Sequence, residues 1–175
     1  MKTLLVALTV LAALVARAQT NEIRTYFEAR KHYTDAPLLR GMSDVQGTQS
    51  LFVEVRAEML TNLRGSNTVR AVSLRGRVTN YTDTDYIDYD ELNGLIQGLQ
   101  YIGQANHTMT PLDNFEAIYR TRSGFTVSKT SDGGNAIIVI KSGRDDAQKV
   151  QVQDYVLNDL TQALIAAKAK LDAAK

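Results

Sequence analysis

The sequence predicts an α+β protein in which an antiparallel sheet of about five to seven strands carries two amphipathic helices on one face. Three observations lead to this class. Residues 51–60 alternate apolar and mostly charged side chains, which is typical of a half-buried strand. A second strand pattern follows the turn at 64–67, which indicates an antiparallel hairpin. Leucine and isoleucine then recur at helical spacing over 88–102 and again over 154–173.

The residues before the first hairpin predict little regular structure. A short helix is expected over 22–33, where apolar side chains fall on one side. Residues 34–50 are interrupted by Gly, Ser and Pro and read as a linker. The strands of the hairpin are expected at 51–60 and 69–79.

The first long helix has recognisable start and stop signals. Asp88 is expected to be its N-cap, with Glu91 completing a capping box. Gly94 and Gly98 each cost about 1 kcal/mol relative to Ala in a helix, so close packing on a sheet is the expected compensation. Gly103 is expected to end the helix.

Three further strands and a closing helix follow. Residues 114–121 alternate apolar and polar side chains, and 125–129 form a second strand pattern. The run 136–140 is wholly apolar, which predicts a central strand buried on both faces. A short strand is expected near 150–152, and the last helix over 154–173.

The N-terminus predicts export. Residues 1–18 read as a signal peptide, with Lys2 in the charged region, an apolar run over 4–16, and small residues at the end. Its cleavage would leave 157 of the 175 residues and change the formal net charge from +1 to −1. A near-neutral chain argues against general polyanion binding. The apolar run is shorter than the ~20 residues of a membrane span, and no later segment reaches that length.

This export signal shapes the predicted organisation. We expect a signal peptide at 1–18, a short helix with linker at 19–50, and one α+β domain at 51–175. The chain has no cysteine, so disulfides and cysteine nucleophiles are excluded. An exported chain without disulfides fits a periplasmic or secreted bacterial protein better than a small eukaryotic secreted domain.

The domain contains signs of duplication. Residues 87–99 align with 152–164 without a gap, and leucines coincide along the alignment. The units would cover 51–105 and 112–173, each with strands followed by a helix. The alternative is that any two amphipathic helices share leucine spacing.

Residues 50–173 are predicted to contain two successive units, each a meander of strands followed by one helix. This order of elements resembles the fold of PUR-, PC4- and Whirly-type single-strand binders. The resemblance lies in the order of elements and implies a topology, with no functional residue carried over. Those families act on nucleic acid inside cells, whereas this chain is expected to be exported. The stretches 86–92 and 114–121 also resemble segments of uncharacterised exported bacterial proteins, a resemblance that implies no activity.

Two charged runs are candidate sites. Carboxylates at Asp83, Asp85 and Asp88 are candidate Ca²⁺ ligands, although the EF-hand spacing fails after the second of them. The alternative is that this acidic run belongs to a helix N-terminus. The other run gives an anionic-ligand candidate, and its alternative is the solvated face of a sheet. It comprises Arg70, Arg75, Arg77 and Tyr81.

The sequence therefore predicts an exported, non-catalytic binding or structural module with no cofactor. A protein or cell-envelope partner fits such a module. One alternative is a binder of single-stranded nucleic acid or another polyanion through the basic strand face, with nucleic acid disfavoured by export. The other is a hydrolase, which no residue pattern selects, because the two histidines, His32 and His107, lie outside any catalytic or metal-ligand spacing.

Overall fold

The computed structural model describes residues 25–32, 36–45, 53–65, 67–76, 84–132, 135–142 and 148–174. These residues contain three helices, α1 (Tyr26–His32), α2 (Leu92–Gln104) and α3 (Asp154–Ala173). No helix in these ranges is long and apolar enough to cross a membrane. They also contain eight strands: β1 (Leu38–Asp44), β2 (Val53–Asn62), β3 (Thr68–Gly76), β4 (Thr84–Asp88), β5 (Phe115–Arg120), β6 (Thr126–Asp132), β7 (Asn135–Ser142) and β8 (Gln148–Val152).

The strands form two antiparallel sheets of four strands each. Sheet 1 has the order β1-β2-β3-β4, and sheet 2 has the order β5-β6-β7-β8. The α+β class is confirmed, but the single sheet of five to seven strands is wrong. The 13 residues of α2 span roughly 20 Å between β4 and β5, so the chain leaves sheet 1 and starts a new sheet.

The two long helices are exchanged between the sheets. α2, which follows sheet 1, packs on β5 and β6 of sheet 2, whereas α3, which follows sheet 2, packs on β2 and β3 of sheet 1. The two helices also pack against each other. One apolar core therefore joins both halves, and it includes Val72 and Leu95 from the first half and Val127 and Leu160 from the second. We call the sheet faces that line this core the inner faces.

The strand registers show that the two halves are built alike. Val72 pairs with Ile87 in sheet 1, and Ile138 pairs with Val152 in sheet 2. Ile87 and Val152 are also matched by the alignment of 87–99 with 152–164. Each half is a four-stranded meander followed by a helix.

A buried lysine joins the ends of the exchanged helices. Lys129 lies on the inner face of β6, opposite Ile138, and is 7% exposed. Its Nζ donates to the Gly103 carbonyl in the last turn of α2 at 3.0 Å and lies 3.4 Å from Asp154 Oδ1 at the start of α3. A cation is favourable at a helix C-terminus, and an acid at an N-terminus. Lys129 therefore stabilises both helix ends at one point.

The region predicted as a linker contains a strand. Residues 38–44 of that region form β1, which pairs along its length with β2. Six of its seven residues are exposed, so the strand shows no apolar alternation. Its stability comes from backbone hydrogen bonds at the sheet edge, which leave no pattern in the sequence.

A short helix covers the outer face of sheet 1. The Glu28 amide donates to Thr25 Oγ1 at 3.1 Å, which places Thr25 as the cap of α1. Phe27 is fully buried and stacks on Tyr86 with the ring centroids 5.0 Å apart. Leu60 and other apolar side chains of the sheet complete this second, smaller core.

The apolar run 136–140 is buried on one face only. β7 is an interior strand, and Ile138 and Ile140 are buried on its inner side. Ala136 and Ile137 are exposed, with Ile137 39% exposed, so burial on both faces is wrong. The physical reason is that α1 covers only sheet 1, and no described helix covers the outer face of sheet 2.

The expected close packing of the helix glycines is confirmed. Gly94 and Gly98 both face Tyr119 of β5, whose ring occupies the space that side chains would need. α2 ends at Gln104, one residue after Gly103. Tyr119 is thus a core residue that lets α2 approach the inner face of sheet 2.

Candidate functional site

The outer face of sheet 2 carries a cationic row across all four strands. Arg120 pairs with Thr126, Thr126 with Lys141, and Lys141 with Lys149. Neighbouring strands lie about 4.8 Å apart, so the three cations fall within ~15 Å. Within the part of the chain that the structure describes, Arg120 and Lys149 are exposed and have no acidic partner. Arg120 donates instead to the Thr126 hydroxyl at 3.2 Å.

Apolar side chains lie beside the cationic row on the same outer face. Ile118 pairs with Ser128, and Ser128 with Val139, which places the three in the next row. Ile118 is 56% exposed, and Ile137, one row further, is also exposed. The described positions of this outer face contain no aromatic residue. The face therefore combines positive charge with a flat aliphatic strip.

The described basic residues of the predicted anionic-ligand site do not lie together on one face. Arg75 is exposed on the outer face of β3, opposite Glu54. Arg70 lies on the other face of the same strand, where it donates to the Ala174 carbonyl at 3.0 Å. The two are five residues apart, and side chains alternate along a strand, so they point to opposite sides. Arg77 and Tyr81 lie outside the described residues.

Other arginines on the outer face of sheet 1 are already paired. Arg40 Nη2 lies 2.6 Å from Glu58 Oε2, and Glu58 is 2% exposed. Arg56 Nε lies 2.6 Å from Asp44, and its Nη2 lies 2.5 Å from Glu54. Acidic neighbours therefore balance this face, whereas Arg120 and Lys149 of the cationic row have no acidic partner among the described residues.

The predicted calcium ligands also separate. Asp85 points to the inner side of β4 and accepts a hydrogen bond from Ser142 Oγ at 2.6 Å. Asp88 lies three residues on and points to the outer side. Asp83 lies outside the described residues, in which no group of three metal-ligating side chains is found.

Asp88 caps a different helix from the one expected. It makes no side-chain cap bond at the start of α2. Instead, Oδ2 accepts from the Tyr26 amide at 2.8 Å and Oδ1 from the Phe27 amide at 3.0 Å, both in the first turn of α1. Burial raises the pKa of Asp88, and these two bonds and nearby Arg122 partly offset that rise. The expectation failed because the capped helix lies about sixty residues earlier in the sequence.

A cleft of about 440 Å³ opens next to Asp88. Tyr26, Val69, Arg70, Asp88, Tyr89 and Asp90 are among its lining residues. Two carboxylates in a cleft, one with a raised pKa, are what the hydrolase alternative requires. However, both oxygens of Asp88 hold backbone amides, and Asp90 forms an ion pair with Arg122. These carboxylates are therefore engaged in structural contacts.

A serine–histidine contact escaped the sequence analysis. His107 Nε2 lies 2.9 Å from Ser131 Oγ, and the His107 ring packs edge-on against Phe115 at 5.4 Å. Ser131 is only 4% exposed, so a substrate has no access to its hydroxyl. The pair anchors the connection after α2 on sheet 2. No sequence signal links the two residues, because only the strand register places Ser131 beside that connection.

Comparison with protein-family models, curated proteins and solved structures finds no match. The function is therefore argued from the geometry.

Proposed function

We propose that the protein is an exported, non-catalytic module that binds an acidic polysaccharide through the outer face of sheet 2. The observation that carries the proposal is the cationic row of Arg120, Lys141 and Lys149 on a sheet face that no described helix covers. The two sheets have the same strand order, so their outer faces can be compared directly. α1 covers the same side of sheet 1, whereas no described helix covers the outer face of sheet 2, on which Ile118 is 56% exposed.

Charge supports an anionic ligand for this face. The acidic residues at outer register positions of the described strands, Glu116 and Asp132, lie two and three rows from the cations. A local row of like charge attracts an anionic polymer even when the net charge of the chain is near zero. The half-buried Thr130 on β6 supplies a hydroxyl on the same face.

The aliphatic neighbours favour a polysaccharide over single-stranded nucleic acid. Binding of single strands depends on aromatic side chains on which bases stack. Ile118, Ile137 and Val139 occupy the corresponding positions here and offer no such platform. Export supports the same choice, because the signal peptide expected at 1–18 directs the chain away from cellular nucleic acid.

Affinity for immobilised heparin, a sulfated polysaccharide, tests the proposal. The triple variant Arg120→Gln/Lys141→Gln/Lys149→Gln removes the cationic row. The matched control, Arg64→Gln/Arg75→Gln/Arg77→Gln, removes three charges from the segment 64–77 of the sequence. The row variant is expected to lose about tenfold in affinity, since three exposed charge contacts of roughly 0.5 kcal/mol each total about 1.5 kcal/mol. The control is expected to elute like the unmodified protein.

Three outcomes would overturn the proposal. Equal losses in both triple variants would show that net charge alone governs binding. No salt-dependent retention of the unmodified protein would remove the anionic ligand altogether. Tighter binding to single-stranded oligo(dT) than to heparin would replace the polysaccharide with nucleic acid. Neutral dextran serves as the probe for binding that does not depend on charge.

A further inference from the structure

We propose that the cleft between α1, β3 and the start of α2 binds a small, flat aromatic ligand that carries a carboxylate. The volume of about 440 Å³ lies within the range of small-molecule sites. Tyr26, Val69 and Tyr89 supply aromatic and apolar surface, and Arg70 supplies a guanidinium. This site lies on sheet 1 and is independent of the polysaccharide face on sheet 2.

Both cleft tyrosines carry a cation on one ring face. The Arg122 guanidinium lies 5.1 Å from the ring centre of Tyr26, and Lys168 Nζ lies 5.2 Å from that of Tyr89. Neither of these two cations lines the cleft. A cation on one face of an aromatic ring reduces the negative electrostatic potential of the ring. The opposite face therefore attracts a second cation only weakly. The tyrosines therefore favour a neutral or anionic aromatic ring.

The acidic side chains of the cleft are already engaged. Asp88 uses both oxygens for the amides of α1, and Asp90 pairs with Arg122. Asp88 is also almost fully buried, at 2% exposure. Because these contacts already satisfy both carboxylates, a cationic ligand would form only weak interactions with them.

Arg70 has donors to spare for a carboxylate. A guanidinium carries five N–H donors. The one hydrogen bond recorded for Arg70 in the described residues runs from Nη2 to the Ala174 carbonyl, which fixes the side chain. The pKa of Asp172 is lowered mainly by its hydrogen bonds with Lys168 and Tyr89, and the Arg70 charge makes a smaller contribution. A held guanidinium with free N–H groups recognises a carboxylate by two parallel bonds.

Three probes with the same naphthalene ring test this inference on the unmodified chain. They are naphthoate, naphthalenemethanol and naphthylmethylammonium, titrated while backbone amide NMR signals are followed. We expect shifts at Val69, Arg70 and Tyr89, with naphthoate binding tightest and the ammonium weakest. Preference for the ammonium, equal affinity for all three, or shifts confined to sheet 2 would overturn the proposal.

The variant Arg70→Gln then isolates the guanidinium. It is expected to weaken naphthoate at least about tenfold, because a hydrogen bond to a charged group contributes roughly 1.5–3 kcal/mol. Naphthalenemethanol affinity is expected to stay unchanged, which also shows that the cleft is still formed. Arg64→Gln, in the exposed β2–β3 turn, is the matched control. An unchanged naphthoate affinity in Arg70→Gln would contradict the inference, whatever the result with heparin.

Discussion

Tyr119 of β5 lies directly over Gly98 of α2. A Cβ atom on Gly98 would lie 2.7 Å from Cγ of the Tyr119 ring and 2.9 Å from Cε2. At Gly94, one turn earlier, the nearest atom is the Tyr119 hydroxyl oxygen, 2.8 Å away. The two glycines thus form a flat strip along which the tyrosine ring lies, and this strip holds α2 against sheet 2.

Gly98→Ala is expected to lower the free energy of unfolding by up to about 2 kcal/mol. Alanine gains about 1 kcal/mol in helix propensity, but overpacking in a tight core costs about 1–3 kcal/mol. The Cβ atom would collide with Cγ of Tyr119 and the ring atoms next to it, which lie close to the backbone and cannot be moved by a rotamer change. Gly94→Ala is expected to cost less, because it meets only the far end of the tyrosine. Urea denaturation measures both changes.

Gly103→Ala is the control for this prediction. Its Cβ would meet only Leu157 Cδ2 at 3.7 Å, an ordinary contact, so the variant is expected to be neutral or more stable by up to about 1 kcal/mol. A stabilising Gly98→Ala would show that Tyr119 does not pack on α2. The double variant Gly98→Ala/Tyr119→Leu is expected to recover part of the loss.

Elements with a strong pattern could be predicted from the sequence. The last helix has the expected bounds, 154–173, because its apolar stripe is regular and its sequence is rich in Ala and Lys. β1 could not be predicted, since an exposed edge strand has no apolar alternation. The division of the strands into two sheets could not be predicted either. Periodicity shows that a face is apolar, but it does not show which other face covers it.

The candidate site was harder to predict than the fold. Arg120 and Lys149 are far apart in the sequence and become neighbours only through the registers of three strand pairs. By contrast, the sequence does show that Arg70 and Arg75 lie on opposite faces of the sheet, because they are five residues apart on one strand and side chains alternate between its faces. The role of Asp88 could not be predicted, because local capping rules apply to the helix that follows a residue, whereas Asp88 caps α1, about sixty residues earlier.

The cap formed by Asp88 predicts a defined pH dependence. Its raised pKa means that the folded state binds the proton more tightly than the unfolded state. Its contribution to stability therefore falls as pH rises from the ordinary value of 3.8 through the raised folded value, and is constant at lower pH. The stability difference between the unmodified protein and Asp88→Ala is expected to shrink as pH rises through that window.

Urea denaturation at several pH values between about 3.5 and 7 tests this dependence, since one raised carboxyl titrates above its ordinary range. Near pH 7, Asp88→Ala is still expected to cost about 1–2 kcal/mol through loss of the cap. The lowered pKa of Asp172 acts in the opposite direction but is common to both proteins and cancels in the difference. A difference that grows with pH would contradict the cap's predicted behaviour.

Lys129 predicts an unusual ranking of substitutions. Lys129→Ala is expected to cost about 2–4 kcal/mol, because it leaves a cavity in place of the buried stem and also removes the hydrogen bond to the Gly103 carbonyl. Lys129→Met keeps the length of the stem and is expected to cost only about 1 kcal/mol, since apolar replacement of a buried charge is often nearly neutral. Thermal and urea unfolding would separate the two. Equal losses would show that the ammonium group, rather than the stem, stabilises the site.

The signal peptide that the sequence predicts at 1–18 implies a specific mature N-terminus. The exported protein is expected to begin at Gln19, as determined by N-terminal sequencing or intact mass. Ala16→Phe/Ala18→Phe is expected to block processing, because the peptidase requires small residues there, whereas Ala13→Phe in the apolar run should leave it intact. A full-length chain with Met1 that stays in the cytoplasm would disprove export.

The exchanged helices fix the order in which this chain can fold. The inner face of sheet 1 is complete by residue 88, but its cover, α3, begins only at Asp154. Contacts across so long a stretch of chain form late, because loop closure must precede them. A chain that emerges from the ribosome, or is threaded through a membrane pore, N-terminus first therefore cannot close its core until the last helix arrives. The architecture therefore delays closure of the core until α3 is available.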